Sequence, residues 1–203
     1  MVFSSGVFLF LFLPIVLAVY YICPGKLRNT VLFVFSLIFY AWGEPVYVVL
    51  MILSILLNYC CGREIAANAE DERKAHRGMI FTVVVNLALL FFFKYYGFFL
   101  ELVNSVTSAE LTYRELALPV GISFYTFQGI SYVVDVYRGK AKAQRSLLNF
   151  ALYIALFPQL IAGPIVRYED IEPQLAQRKV SARKLGQGAM LFLIGLAKKA
   201  VLA

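Results

Sequence analysis

The chain alternates between long apolar runs and short polar connections. Residues 3–22 make the first run, interrupted only by Pro14 and closed by Pro24-Gly25. About 20 apolar residues carry a helix across a bilayer, so this run predicts a first span, kinked at Pro14. Residues 31–43 and 46–61 are two shorter runs separated by Glu44-Pro45. Proline bars one continuous helix, and a glutamate at mid-bilayer is costly. The pattern therefore predicts a helical hairpin turning at Glu44-Pro45, with Tyr40, Trp42 and Tyr47 as interfacial aromatics. Such short arms imply a thin bilayer or burial among other helices. Residues 63–77 (REIAANAEDERKAHR) read as a solvated helical loop. Residues 79–100 predict the next span, with Asn86 placed to bond a neighbouring helix and Lys94 snorkelling to the interface. Residues 101–115 and 168–184 are polar connections, and Ser181 can cap a last helix from Lys184 onward.

One stretch breaks the apolar monotony. Residues 118–167 read LPVGISFYTFQGISYVVDVYRG, a short basic linker, then NFALYIALFPQLIAGPIVRY. A polar atom buried without a partner costs about 1–3 kcal/mol, so a lipid-facing helix has no use for these side chains. With Pro119 opening a helix, Gly121, Tyr125, Gln128, Tyr132 and Asp135 fall on one narrow arc at about 100° per residue. Ile122, Val133 and Val136 occupy the other side, for lipid or packed helices. Two readings of the stripe stay open: hydrogen bonds that glue helices together, or the lining of an internal tunnel. Asp135 can equally pair with Arg138 at the helix end. On the tunnel reading the lining candidates are Gly121, Ser123, Tyr125, Gln128, Tyr132, Asp135, Gln159, Gly163, Pro164 and Arg167. Arg167 suits a phosphate at the mouth, or simply marks the basic side.

Composition fixes the class. The chain is 61% hydrophobic and 15% charged, with mean hydropathy +0.76; a soluble domain is about half apolar and a quarter charged. The runs are solid rather than alternating, so spanning helices are expected and a β-barrel is not. The fold class is all-α, a polytopic integral membrane helical bundle, with residues 1–203 as a single transmembrane domain.

The net charge of +7 does not indicate nucleic acid, because the basic residues sit in short connections between apolar runs. Lys26 and Arg28, then Arg63, Arg73, Lys74 and Arg77, then Arg138, Lys140, Lys142 and Arg145 fall on alternate connections. This places the N-terminus outside and the basic connections in the cytoplasm. The alternation fails after residues 147–166, because Arg167, Arg178, Lys179, Arg183 and Lys184 would then lie outside. A re-entrant segment resolves the conflict, and Pro158, Gly163 and Pro164 supply its breaks. Irregular backbone at membrane depth needs surrounding protein or a water-filled cavity. The first run lacks the basic start and small-residue cleavage site of a signal peptide. Cys23, Cys60 and Cys61 have no metal-ligand spacing, and His76 lies in a run of charges. No phosphate loop, catalytic triad or paired carboxylates appear.

These motifs carry a resemblance. LPVGISFYTFQGISYVVDVYRG, FPQLIAGPIVRYEDIEPQL and GLAKKAVLA, with the opening MVFSSGVFLFLFLP and FSLIFYAWGEP, resemble the membrane-bound O-acyltransferase family. The similar branch is the bacterial one of alginate O-acetylation proteins. The resemblance implies a helical enzyme of the bacterial inner membrane with a tunnel through it. An acyl group would come from a cytoplasmic donor, acetyl-CoA in this branch, and pass outward to an exported partner acting on a polysaccharide. No bound cofactor is expected, and the partners are membrane lipid, the acyl donor and that exported acyltransferase. The family's catalytic histidine lies beside a tryptophan in a later apolar helix. Here the only tryptophan is Trp42 and the only histidine is His76, so no catalytic residue is assigned. The chain is expected to be the N-terminal part of a longer enzyme, inactive alone. Half of a transporter or channel, or a non-catalytic assembly subunit, remain as alternatives. The former predicts internal repeats and paired intramembrane charges, and only Asp135 and Lys94 are candidates for such depth.

Overall fold

A computed structural model describes residues 3–107, 118–160, 166–176, 178 and 181–202. Among these residues the structure is all helix, without strands. The helices are α1 (Leu13–Ile22), α2 (Arg28–Gly43), α3 (Tyr47–Ala67), α4 (Glu72–Thr107), α5 (Ile122–Tyr137), α6 (Leu147–Ala155), α7 (Phe157–Leu160), α8 (Tyr168–Ala176) and α9 (Ala182–Leu202).

A π-helical turn, Phe8–Phe12, precedes α1. Pro14 lacks an N–H and crowds the turn behind it, and a wider turn there is one way to absorb the mismatch.

α3 and α4 are long and apolar enough to cross a membrane. At 1.5 Å per residue, 21 residues in α3 rise about 32 Å and 36 in α4 about 54 Å. Phe81, Val84, Phe91 and Phe98 lie exposed along α4, as suits an apolar solvent.

Three expectations need correcting. The chain turns at Glu44-Pro45, between α2 and α3, as expected, but the two arms pack little on each other: α2 lies mainly on α6, while α3 packs on α4 and α5. α3 also runs on through the predicted solvated loop to Ala67, because Arg63 and Glu64 continue a helix at the surface without cost. Only residues 68–71 break it before Glu72 begins α4. α4 likewise takes in residues 101–107 of the predicted polar connection, the remainder of which falls outside the described residues.

Several polar contacts between elements lie at one end of the molecule. Asn29, at the start of α2, donates to Asn149 Oδ1 (2.8 Å) at the start of α6 and to the Leu175 carbonyl (3.0 Å) at the end of α8. Tyr59, late in α3, donates to the Arg145 carbonyl (2.7 Å). His76, early in α4, meets Tyr137 at the end of α5 through a 3.2 Å hydrogen bond. Lys26, Arg28, Arg63, Arg77, Arg138, Arg145 and Arg167 all belong to this end by position in these elements. The opposite end is closed by aromatic rings: Phe3, Phe8, Phe12, Phe39 and Phe157 stack within one cluster. There the Phe157 N–H, freed at the break after Leu156, donates to the buried Ser36 Oγ (3.2 Å).

Candidate functional site

α5 is the axis of the described structure. Its start departs from the expected Pro119. The helix begins at Ile122, after a turn in which the Ile122 N–H donates to the Pro119 carbonyl (3.1 Å). Gly121 has φ +80°, the left-handed position that the third residue of a type II turn requires. A Cβ there would lie 3.1 Å from the Leu160 carbonyl, so glycine also permits α7 to press against the helix start.

The predicted polar arc of α5 is interior. Tyr125, Gln128, Tyr132 and Asp135 are all buried, and their Cα atoms span ten residues, about 15 Å along the axis. Of the two surroundings open to Ile122, Val133 and Val136, lipid or packed helices, the structure has the second: all three are buried. Phe124 and Phe127 are the exposed positions of α5. Ser123 is half-buried.

Two glycine contacts set how closely the neighbours approach. A Cβ on Gly129 would stand 2.6 Å from Asn58 Cγ, and one on Gly62 2.6 Å from Tyr132 Cε1. α3 and α5 therefore meet at near-backbone distance. Behind Gly129, Asn58 and Asn86 exchange amide hydrogen bonds of 3.0 and 3.2 Å, and each also donates to a carbonyl four residues back. Asn86 thus bonds a neighbouring helix, as its mid-helix position predicts.

The arc divides into satisfied and unsatisfied groups. Tyr132 Oη accepts the Gln144 N–H (3.0 Å). Its ring is wedged among Phe150 (centroids 4.6 Å) and Tyr168 (5.1 Å), and Tyr153 packs on Tyr168 (5.2 Å). Tyr132 is thus a joint between α5, α6 and α8. By contrast, Tyr125 Oη, Gln128 Oε1 and Asp135 Oδ2 are buried with no hydrogen-bond partner, as are Tyr40 Oη of α2 and Gln159 Nε2 of α7. Asp135 makes no ion pair with Arg138, which is exposed; among the described residues the ion pair present is Lys74–Asp71. Buried polar atoms are paired in the great majority of cases. Five unpaired ones, three of them on a single face of α5, set this interior apart from the mutually bonded Asn58 and Asn86 beside it.

Tyr40 is the residue that sequence pattern missed. Its place beside Trp42 and the Glu44-Pro45 turn suggests an interfacial ring, yet it is 3% exposed, whereas Trp42 is 63% exposed. Gly163 and Pro164 lie outside the described residues. Arg167 is exposed, and its carbonyl accepts the Asp170 N–H (3.2 Å) as α8 begins. It stands apart from the buried arc.

The segment after α5 leaves and returns to one place. Gln144 Nε2 donates to Tyr168 Oη (2.5 Å), so the chain on either side of α6 and α7 is joined. Between them α6 rises nine residues, about 14 Å, and α7 reaches Gly121 and the phenylalanine cluster. By Val166 the chain is back beside α6, where Tyr153 Oη donates to the Val166 carbonyl (2.9 Å). Burial and the nearby Glu172 push the Tyr168 phenol above its ordinary pKa. Among the described residues no cluster of His, Cys, Asp or Glu could hold a metal.

Known proteins give a consistent picture. The chain is 41% identical to the probable alginate O-acetylase AlgI of Pseudomonas aeruginosa over its whole length, and 40% identical to that of Azotobacter vinelandii. It is 31% identical to the peptidoglycan O-acetyltransferase of Helicobacter pylori. In each case all of this chain is matched, but only 40 to 44% of the relative. No family profile and no solved structure matches. Along its entire length, then, the chain is similar to the alginate O-acetylase branch of the membrane-bound O-acyltransferases, of whose members it spans about two fifths.

Proposed function

We propose that these residues form the passage of a polytopic membrane O-acetyltransferase that delivers acetyl groups toward a cell-surface polysaccharide. The observation that carries the proposal is the set of unpaired polar atoms, Tyr125 Oη, Gln128 Oε1 and Asp135 Oδ2, facing the interior with Tyr40 Oη and Gln159 Nε2. Such groups are stranded in a closed helix core; the donors among them, Tyr125 Oη, Tyr40 Oη and Gln159 Nε2, can serve an acyl carbonyl that moves past, and the acceptors Gln128 Oε1 and Asp135 Oδ2 can take a hydrogen bond from water or a hydroxyl that travels with it. Tyr125 Oη would donate to the acyl carbonyl, Gln128 Oε1 would accept from a water or hydroxyl beside it, and Asp135 would lie nearest the basic end.

The basic end is the cytoplasmic one in this reading, by the positive-inside rule, with the N-terminus outside. Residues 147–166 then re-enter. The Gln144–Tyr168 hydrogen bond supports this, since a crossing of about 30 Å would hold those residues at opposite faces. Acetyl-CoA is the expected donor at the basic end, and an exported acyltransferase the expected recipient. The catalytic base that activates a hydroxyl for acyl attack is not assigned to any residue described above.

The test is acetate incorporation into surface polysaccharide by the intact protein carrying Tyr125→Phe or Gln128→Leu, with Phe124→Leu as control. Loss of incorporation at normal membrane abundance in the first two supports the passage. Full incorporation in both sinks it and leaves a purely structural role for the arc.

A further inference from the structure

A second site lies outside the α5 interior, on the face formed by α1, α8 and α9. At the basic end a polar pocket of about 240 Å³ is lined by Lys26, Arg28 and Arg178, with Asn29 and Asn149. The Arg28 guanidinium stands 5.2 Å over the Tyr20 ring, and its Nε is buried without a partner. Among the described residues none of the three cations has a carboxylate partner, and the acids of α8, Glu169, Asp170 and Glu172, line neither this pocket nor the groove beside it. Three positive charges held around one polar pocket call for an anion, and guanidinium groups match phosphate oxygens in particular.

Arg178 also lines a groove of about 960 Å³ between α1 and α9, whose walls are chiefly Leu13, Leu17, Phe192 and Leu193. Leu13 and Phe192 continue it into an apolar cleft of about 440 Å³ that reaches Phe3, Phe157 and Leu196 at the far end. The charged pocket and the apolar groove are thus one feature, joined at Arg178 and running the length of α1. A soluble phosphate ester fits the pocket but has no use for the groove. An apolar helix fits the groove but leaves three cations unneutralised.

We propose that this feature is a binding site for an anionic diacyl phospholipid, its phosphate held by Lys26, Arg28 and Arg178 and its chains laid along α1 and α9. The site is separate from the acyl passage and does not depend on it.

The intact protein, extracted in mild detergent and exchanged into mixed vesicles, is analysed by native mass spectrometry for retained phosphatidylglycerol against phosphatidylcholine. Wild type should retain phosphatidylglycerol at least threefold in preference. Arg178→Gln should bring the ratio close to one, as should Lys26→Gln with Arg28→Gln. Leu17→Trp, which leaves every cation in place and fills the groove, should lower retention of both lipids. Equal retention of both lipids by wild type overturns the proposal, as does a ratio unchanged in the cation variants. Displacement of phosphatidylglycerol by stoichiometric acetyl-CoA also overturns it, and makes the pocket a donor-phosphate site instead.

Discussion

Tyr125 and Tyr132 sit two turns apart on the same buried face of α5, yet phenylalanine should have opposite effects at the two. Tyr132 Oη accepts the Gln144 N–H at 3.0 Å. Removing that oxygen strands a backbone donor that is only partly exposed, which costs about 1–3 kcal/mol. The aromatic packing on Phe150 and Tyr168 survives in the variant, so the loss is confined to the hydrogen bond. Tyr125 Oη has no partner and the residue is 2% exposed. Deleting it relieves a buried unsatisfied group, and stability should stay level or rise by about 1 kcal/mol. The assay is reversible unfolding of the intact protein in detergent micelles, each variant against wild type. A gap of about 1–4 kcal/mol between the two variants is expected, together with lost acetyl transfer in Tyr125→Phe despite its intact fold. If Tyr125→Phe destabilises as much as Tyr132→Phe, the Tyr125 hydroxyl is structural and the passage loses its principal support.

Gly129→Ala should destabilise by about 1–3 kcal/mol through overpacking, because its Cβ meets Asn58 at 2.6 Å and Asn58 is tied to Asn86; loss of folded yield on size exclusion reads this out. Ser36→Ala strands the Phe157 N–H, a buried donor bonded at 3.2 Å, and should cost about 1–3 kcal/mol in the same unfolding assay. Single cysteines at Arg145 and Arg167, in a background lacking Cys23, Cys60 and Cys61, should both react with an impermeant thiol reagent from the same membrane face. Reaction from opposite faces would mean that residues 147–166 cross.

Much of this was legible in the sequence because periodicity and polarity act locally. The α5 arc follows from helical spacing alone, and its four side chains Tyr125, Gln128, Tyr132 and Asp135 are buried as a set, while Gly121 falls in the turn before the helix. The cap on the last helix is equally local: Ser181 Oγ accepts the Lys184 N–H at 3.3 Å, as its place before that run predicts. What spacing could not supply was tertiary. Tyr40 looks interfacial beside Trp42, but α2 turns it inward onto the core while Trp42 stays outside. Asn58 stood in an apolar run with nothing to mark it; its role comes from Gly129 and Asn86 on two other helices. The length of α3 was underestimated because a helix end at the surface tolerates charge, so Arg63 and Glu64 gave no stop signal.

Acyl groups that pass the buried face of α5 must travel beside Gln128. Gln128→Cys, in the intact protein freed of its other cysteines, tests this passage directly. A small thiol reagent should modify that position, modification should abolish acetyl transfer, and prior acetyl-CoA should slow the labelling. Full turnover by the modified protein, or a Gln128→Cys that never reacts while turnover proceeds, would contradict the account.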